Sequence, residues 1–227
     1  MTESASTSLK GEVRTIEPDR IGRAIARRSA EIRATVPDLE LVRDADARAA
    51  VALARDRDVP LTAVLARACA LALRDVPRAN GAYRDGHYEL YSRINLGIAI
   101  HTEDGQAIPA LLDADARSLE QVGEELRRLT ARAHAGELTP PELAGTTFQF
   151  TDAGPLGVDR YSPLVIPPQA GALAAGAVRD VPVVRGGEVL PGQLITLTLV
   201  CDHRILFGVH AAELLNRFVA QVQEPAE

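Results

Sequence analysis

Residues 63–73 read AVLARACALAL, apolar on nearly every side except for Arg67. A helix with this pattern has no solvent face and should be buried. The chain must therefore supply enough other structure to cover it. With 227 residues, 46% of them hydrophobic, it is long enough for one large domain or two small ones. Trp is absent and aromatics are only 4%, so the core has to be built from Ala, Leu, Val and Ile.

The elements around this helix are interleaved. Residues 1–17 are polar and are expected to fray. Asp19 can cap a helix running through Ile21, Ile25 and Ile32, which Pro37 ends. Leu39–Val42 alternates as a strand, and residues 45–57 read as an Ala- and Arg-rich helix that Pro60 breaks. Asp85-Gly86, between Tyr83 and Tyr88, marks a hairpin turn. Ile94–His101 and Ala107–Leu111 read as strands about a turn at Asp104-Gly105. Residues 118–135 form a helix with Leu119, Val122, Leu126 and Leu129 on one face, and Thr139-Pro140-Pro141-Glu142 opens a shorter one. Strands follow at 146–151, 172–178, 181–184 and 194–200, with Gly186-Gly187 as a turn, and the helix 208–222 closes the chain. The class is mixed α and β, with a mixed or largely antiparallel sheet. Regular βαβ alternation and a glycine-rich phosphate loop are both missing, which disfavours a dinucleotide fold. Residues 18–227 read as one domain behind the flexible segment 1–17.

Several function classes recede. The net charge is −6, unfavourable for sequence-independent phosphate binding, so no nucleic-acid partner is expected. Met1-Thr2-Glu3-Ser4 lacks the basic and apolar regions of a secretory signal, and no apolar run has membrane-spanning length. Cys69 and Cys201 lack metal-ligand spacing and suggest no disulfide framework. A cytoplasmic setting with neither membrane nor metal is the expectation.

Four of the five histidines have ordinary explanations. His87 and His101 flank turns, His134 ends a helix where a cation suits the dipole, and His210 sits in a first helical turn. His203 differs. The apolar strand Leu194–Val200 empties into Asp202-His203-Arg204 just before a helix, and strand ends of this kind present reactive groups on a rigid scaffold. A histidine there can take a proton from a thiol or hydroxyl near neutral pH. Cys201 and His203 are two apart, and no second pair of ligand residues completes a site, which argues against a shared metal. No Gly-x-Ser-x-Gly elbow occurs.

Asp202-His203-Arg204-Ile205-Leu206-Phe207-Gly208 resembles the Asp-His-Arg-x-x-Asp-Gly signature of the acyltransferase component of 2-oxoacid dehydrogenase complexes. Chloramphenicol acetyltransferase shares its shorter His-x-x-x-Asp-Gly form. Further blocks resemble the same family in the same order: residues 20–28, Ile94–Ala99, Asp104–Pro109, Gly136–Leu143 with Gly145–Phe148, and Pro167–Ala170. The resemblance covers roughly residues 16–222. It implies a chloramphenicol acetyltransferase-like sandwich, a mixed α+β fold with a central mixed sheet flanked by helices.

The resemblance also implies a mechanism. His203 is the general base, and Thr151 holds the place of the Ser or Thr that donates a hydrogen bond to the oxyanion. Transfer is direct, without an acyl-enzyme. Asp202, Phe207, Asp152 and Phe148 would shape the site. Two of these depart from the family: Phe207 replaces the signature's second Asp, and Asp152 replaces an Asn beside the oxyanion donor. The family's Asp pairs with an Arg to hold the histidine loop. Removing one partner of such a buried pair costs about 3–5 kcal/mol, so another device must hold the loop, Phe207 packing inward being the expected one. A carboxylate at 152 is tolerable only if it points away or is protonated.

The chain has no recognisable lipoyl domain, linker or apolar C-terminal tail. On that ground the expectation is a stand-alone enzyme with no lipoyl group, no permanently bound cofactor, and no large cubic or dodecahedral core. It would move an acetyl or other acyl group from acetyl-CoA, or from an acyl-carrier donor, to a small-molecule hydroxyl. A tetronate intermediate of a polyketide pathway is the expected acceptor. Lipoyl-dependent transacylation and a non-catalytic scaffold are the alternatives. The family's shared site implies a homotrimer, in which one subunit's base meets the next subunit's oxyanion donor. A monomer would need both groups within reach in one chain.

Overall fold

The computed structural model of the chain describes residues 4–102 and 105–226. The chain divides into two compact units, Met1–Thr35 and Val36–Glu227. In the first, strands β1 (Ser4–Ser8) and β2 (Gly11–Thr15) pair as an antiparallel hairpin, followed by helix α1 (Arg20–Thr35). Asp19 caps α1 as its sequence position suggests, its Oδ1 accepting the Gly22 N–H at 2.7 Å.

The second unit runs β3 (Asp38–Asp46), α2 (Arg48–Asp56), α3 (Leu61–Asp75), β4 (Gly81–Arg84), β5 (His87–Leu90), β6 (Leu96–Ile98), β7 (Ile100–Thr102), β8 (Gly105–Ala107), β9 (Ala110–Leu111), α4 (Leu119–His134), β10 (Phe148–Asp152), β11 (Gly171–Ala175), β12 (Arg179–Arg185), β13 (Glu188–Asp202) and α5 (Gly208–Gln223). Among the described residues the main sheet has seven strands in the order β12-β13-β11-β10-β6-β9, with β3 also on β13. The β10 pairings with β6 and β11 are parallel and the others antiparallel. Leu194 pairs with both Arg179 and Asp46, so β3 lies along one edge of β13 and β11 followed by β12 along the other. The mixed sheet and mixed α+β class are as expected.

Register explains why helices cover one face of this sheet. Phe150, Leu173, Leu199 and Leu41 stand in one row, all apolar. The neighbouring row, on the opposite face, is Thr151, Ala174, Thr198 and Val42. The first row meets the helical layer, where Phe150 contacts Phe218 of α5 edge-on at 6.1 Å. Helix α3 is at the centre of that layer, with Val64, Leu65, Leu71 and Leu73 buried alongside five alanines and Cys69. Each such Leu or Val contributes about 1.5–3 kcal/mol on burial. Helix α4 is amphipathic and starts with a capping box between Ser118 and Gln121. Its Gly123 is required by packing, since a Cβ there would lie 2.8 Å from Val59 Cγ1.

Several element boundaries differ from the sequence reading, β13 starting at Glu188 rather than at 194, and two of the differences have a clear cause. Residues 45 and 46 are strand, not helix, because Ala45 and Asp46 pair with Ile195 and Leu194, and this long-range ladder overrides alanine's helix preference. The strand expected over 94–101 is broken at Ala99, whose N–H turns aside to Phe150 O. On the facing side Pro109 has no N–H to continue the ladder between β8 and β9. Asp85 and Gly86 both take positive φ, 50° and 80°, as a two-residue hairpin turn demands. In the turn expected at Asp104-Gly105, Asp104 lies outside the described residues, although the flanking β7 and β8 do pair.

Candidate active site

His203 stands where β13 leaves the sheet. The backbone turns tightly there, with Ile205 N–H and Leu206 N–H both donating to Asp202 O at 3.0 and 2.9 Å. Asp202, only 3% exposed, fixes the turn from inside. Its carboxylate accepts Arg204 N–H at 2.9 Å and a two-pronged bond from the Arg204 guanidinium, at 2.9 Å from Nε and 2.6 Å from Nη2. Neighbouring elements pin the turn further. His203 N–H donates to Pro37 O (3.0 Å), Arg78 Nε to Ile205 O (2.6 Å) and Tyr88 Oη to Arg204 O (3.1 Å). The backbone is thus held rigid while the His203 side chain is exposed. Cys201, two residues earlier, is no competing nucleophile. Burial, with Asp202 and Asp38 adding to it, pushes its thiol up to about 12.

Phe207 does not pack inward, contrary to the expectation. It is 41% exposed. Its ring meets the His203 ring at 5.9 Å and 74° and the His210 ring at 5.6 Å. The Arg78 guanidinium lies 4.8 Å from the Phe207 centroid and 4.5 Å from that of Tyr88, held between the two rings. Cation–π contacts of this kind contribute about 0.5–1 kcal/mol each near a surface. Together with the Arg78–Ile205 bond they tie Phe207, Tyr88 and the turn to one guanidinium. No buried Arg is stranded, because among the described residues Arg78 has no carboxylate partner to lose.

Thr151 lies on β10, two strands away. It is 0% exposed, and its Oγ1 is buried without a hydrogen-bond partner among the described residues. Asp152 points to the other sheet face, as strand alternation requires. Its Oδ2 accepts the Thr62 hydroxyl at 2.6 Å and its Oδ1 the Gly154 N–H at 2.9 Å. The carboxylate therefore faces away from the Thr151 hydroxyl, which removes the electrostatic objection to it. Burial holds the Asp152 carboxyl above its usual range, and the two hydrogen bonds partly offset this. Phe148 is fully buried in the core row with Phe150, so it supports β10 from the helix side.

A cavity of about 570 Å³ opens beside Asp152, between α4, the start of α3 and β6–β7. Ile98, Ile100, Leu126 and Leu156 supply its apolar walls, and His101, His134 and Thr62 its polar ones. Sequence reasoning gave His101 and His134 only ordinary roles. No local signal could have joined them, since the fold alone brings these distant segments together.

His203 and Thr151 do not meet within one chain. Register places Thr151 level with Thr198 across β11. The end of β13 at Asp202 is then about 13 Å farther along the sheet and about 10 Å across it, from standard strand spacings. Both groups cannot contact one reacting carbonyl at that separation.

Residues 10–227 match the family described as 2-oxoacid dehydrogenases acyltransferase (catalytic domain). A dihydrolipoyllysine-residue acetyltransferase component of the pyruvate dehydrogenase complex from Rhizobium meliloti is 31% identical over 99% of this chain and 54% of its own length. Among solved structures, a dihydrolipoamide acetyltransferase from Azotobacter vinelandii superposes with a TM-score of 0.88 at 23% identity, covering 95% of this chain and 93% of that one. The cubic core of a pyruvate dehydrogenase multienzyme complex gives 0.88 at 24%, covering 94% and 93%.

These findings correct two expectations. The relatives are dihydrolipoyllysine-residue acetyltransferase components of pyruvate dehydrogenase complexes and of an acetoin cleaving system. This overturns an O-acetyltransferase acting on a polyketide tetronate. The expectation of no large core also falls, because a chain of this fold forms a cubic core. Both expectations leaned on chain length, and the chain spans only 30–54% of the length of three such components. No helix of the described residues is long and apolar enough to cross a membrane. With the fold, the ordered sequence blocks and a family match over nearly the whole chain in agreement, the chain belongs to the 2-oxoacid dehydrogenase acyltransferase (catalytic domain) family.

Proposed function

We propose that the chain moves an acyl group between coenzyme A and the thiol of a dihydrolipoyl group, in a site to which two copies of the chain contribute. The observation that carries this reading is the turn after β13, which fixes the backbone on both sides of His203 and leaves the imidazole exposed. His203 takes the proton of the attacking thiol as the sulfur adds to the thioester carbonyl. The Thr151 hydroxyl of a second copy donates to the oxyanion that forms. Collapse of the tetrahedral intermediate breaks the other carbon–sulfur bond, and the departing thiolate recovers the proton from His203. CoA and the lipoyl group come and go as substrates, and the chain needs no resident cofactor.

Spacing supports these roles. The Azotobacter vinelandii structure concerns a serine, a histidine and an asparagine in that enzyme's catalytic mechanism. The serine and histidine are fifty-two residues apart there, as Thr151 and His203 are here, and the asparagine stands four residues after the histidine, where this chain has Phe207. Sharing between copies follows from the separation of Thr151 and His203 along the sheet, and it requires assembly. The free thiols Cys69 and Cys201 suit a reducing, cytoplasmic setting.

The test supplies acetyl-CoA and dihydrolipoamide to the purified protein and follows S-acetyl-dihydrolipoamide. Transfer that depends on His203 is the expected result. Acetylation of hydroxyl compounds in preference to dihydrolipoamide, or turnover undiminished in His203→Ala, contradicts the reading.

A further inference from the structure

We propose that Arg78 is a positioning residue for His203 and acts through the ring of Phe207. The inference rests on the acyl-transfer reading for its kinetic consequences, while the contact itself stands on geometry alone.

A general base has to present one ring nitrogen to the reacting thiol, which usually means that a hydrogen bond fixes the other. Among the described residues the His203 imidazole has no hydrogen-bond partner, and its ring contact is with Phe207, 5.9 Å away and inclined at 74°. Phe207 can orient another ring only if it is itself held still. At 41% exposure it has little packing to hold it. What holds it is the Arg78 guanidinium 4.8 Å from its centroid, with the His210 ring at 5.6 Å on another side. Arg78 in turn is fixed by the Tyr88 ring 4.5 Å away and by its Nε bond to Ile205 O at 2.6 Å. It sits in a single 3-10 turn, Pro77–Ala79, directly after α3, so its backbone is anchored to the buried centre of the fold. The series Tyr88, Arg78, Phe207, His203 thus runs from the β5 hairpin strand, through a side chain whose backbone follows α3, to the base. A planar guanidinium can lie against two rings and donate in its own plane, and a lysine ammonium cannot do both.

The test compares Arg78→Lys, Phe207→Leu, Phe207→Tyr and the double variant Arg78→Lys/Phe207→Leu in acetyl transfer from acetyl-CoA to dihydrolipoamide. A misplaced base slows the chemical step more than it weakens binding. Phe207→Leu should lower kcat about tenfold with KM for both substrates within about twofold of wild type. Phe207→Tyr keeps the ring and should restore kcat to within about threefold of wild type. The double variant should be slower than Phe207→Leu alone by clearly less than the loss in Arg78→Lys, because part of the Arg78 effect passes through the ring and the rest through its bond to Ile205 O. Losses that simply add, or a wild-type kcat in Phe207→Leu, overturn the proposal. A second readout needs no turnover. The His203 imidazole proton resonances should carry a ring-current displacement from Phe207 that moves in Arg78→Lys as well as in Phe207→Leu. Resonances unmoved in Arg78→Lys overturn the positioning role. If the wild-type chain transfers no acyl group yet these resonances move, the acyl-transfer reading fails and the positioning contact stands.

Discussion

The two candidate catalytic side chains sit in opposite kinds of environment. Around His203 the backbone is tied down at many points: Asp202 accepts bonds on its carboxylate and its carbonyl, and Pro37, Arg78 and Tyr88 bond the turn from outside. The side chain that would do the chemistry is left exposed. At Thr151 the reverse holds. The strand is an ordinary ladder member and the side chain is fully buried, with a hydroxyl that has no partner among the described residues. The proposed base is displayed on a tightly bonded turn, whereas the proposed oxyanion donor is an unsatisfied group within a stable sheet. An orphaned buried hydroxyl costs stability unless something else uses it. A substrate carbonyl is the use proposed here.

Substitutions can break this contrast. The largest effect should come from His203→Ala, with acyl transfer falling about 10³–10⁴-fold and the thermal midpoint scarcely moving, because the base is exposed and the turn is held by others. Steady-state rates beside a melting curve check both halves. Thr151→Val should reduce kcat about 10²–10³-fold. In contrast to most buried substitutions it should not destabilise the fold, and a gain of up to about 1 kcal/mol is expected because an unpaired polar group is removed. A denaturant titration that shows Thr151→Val clearly less stable would mean that the hydroxyl has a structural partner after all.

Asp202→Ala sharpens the other side of the comparison. It removes the carboxylate that holds Arg204, whose side chain is 37% exposed, so the charge left behind is partly solvated. The expected loss is about 2 kcal/mol, or roughly 4–8 °C in thermal midpoint for a chain of this size. Turnover should fall with it as the His203 turn loosens.

The smallest effect concerns Asp152. Burial raises its carboxyl pKa in the folded chain, against the pull of its bonds from Thr62 and Gly154. The folded state therefore keeps the proton to higher pH than the unfolded chain does. The favourable contribution is complete at low pH and is lost as pH rises through the folded value. Asp152→Asn stays neutral and keeps it. The variant's midpoint relative to wild type should accordingly rise between about pH 4 and about pH 8. A relative midpoint that falls instead would show that the two hydrogen bonds outweigh burial.

Much of the fold was legible because its signals are local. Asp19 caps a helix, the hairpin turns at Asp85-Gly86 and Gly186-Gly187 take positive φ, and the period of Leu119, Val122, Leu126 and Leu129 marks the buried face of α4. His203 was legible because an apolar strand ends abruptly in a charged trio. The features that escaped are those that depend on pairing. Ala45 and Asp46 join β13 in spite of helical composition, and Ala99 leaves its strand for Phe150 O. Phe207 is the clearest case. A large apolar residue in place of a carboxylate suggests inward packing, and only the structure shows Arg78, from more than a hundred residues upstream, waiting beside its ring. Chain length misled most, because it spoke of what surrounds the site and not of the site itself.

The central claim is that one active site is assembled from two copies, and mixing tests it most directly. His203→Ala and Thr151→Val chains, each inactive alone, would be unfolded together, refolded as a mixture and assayed for acetyl transfer to dihydrolipoamide. A shared site predicts that the mixed assembly regains a substantial fraction of wild-type activity, since some sites pair an intact His203 with an intact Thr151 from the other chain. Mixed assemblies that form and remain as inactive as either variant alone would contradict it.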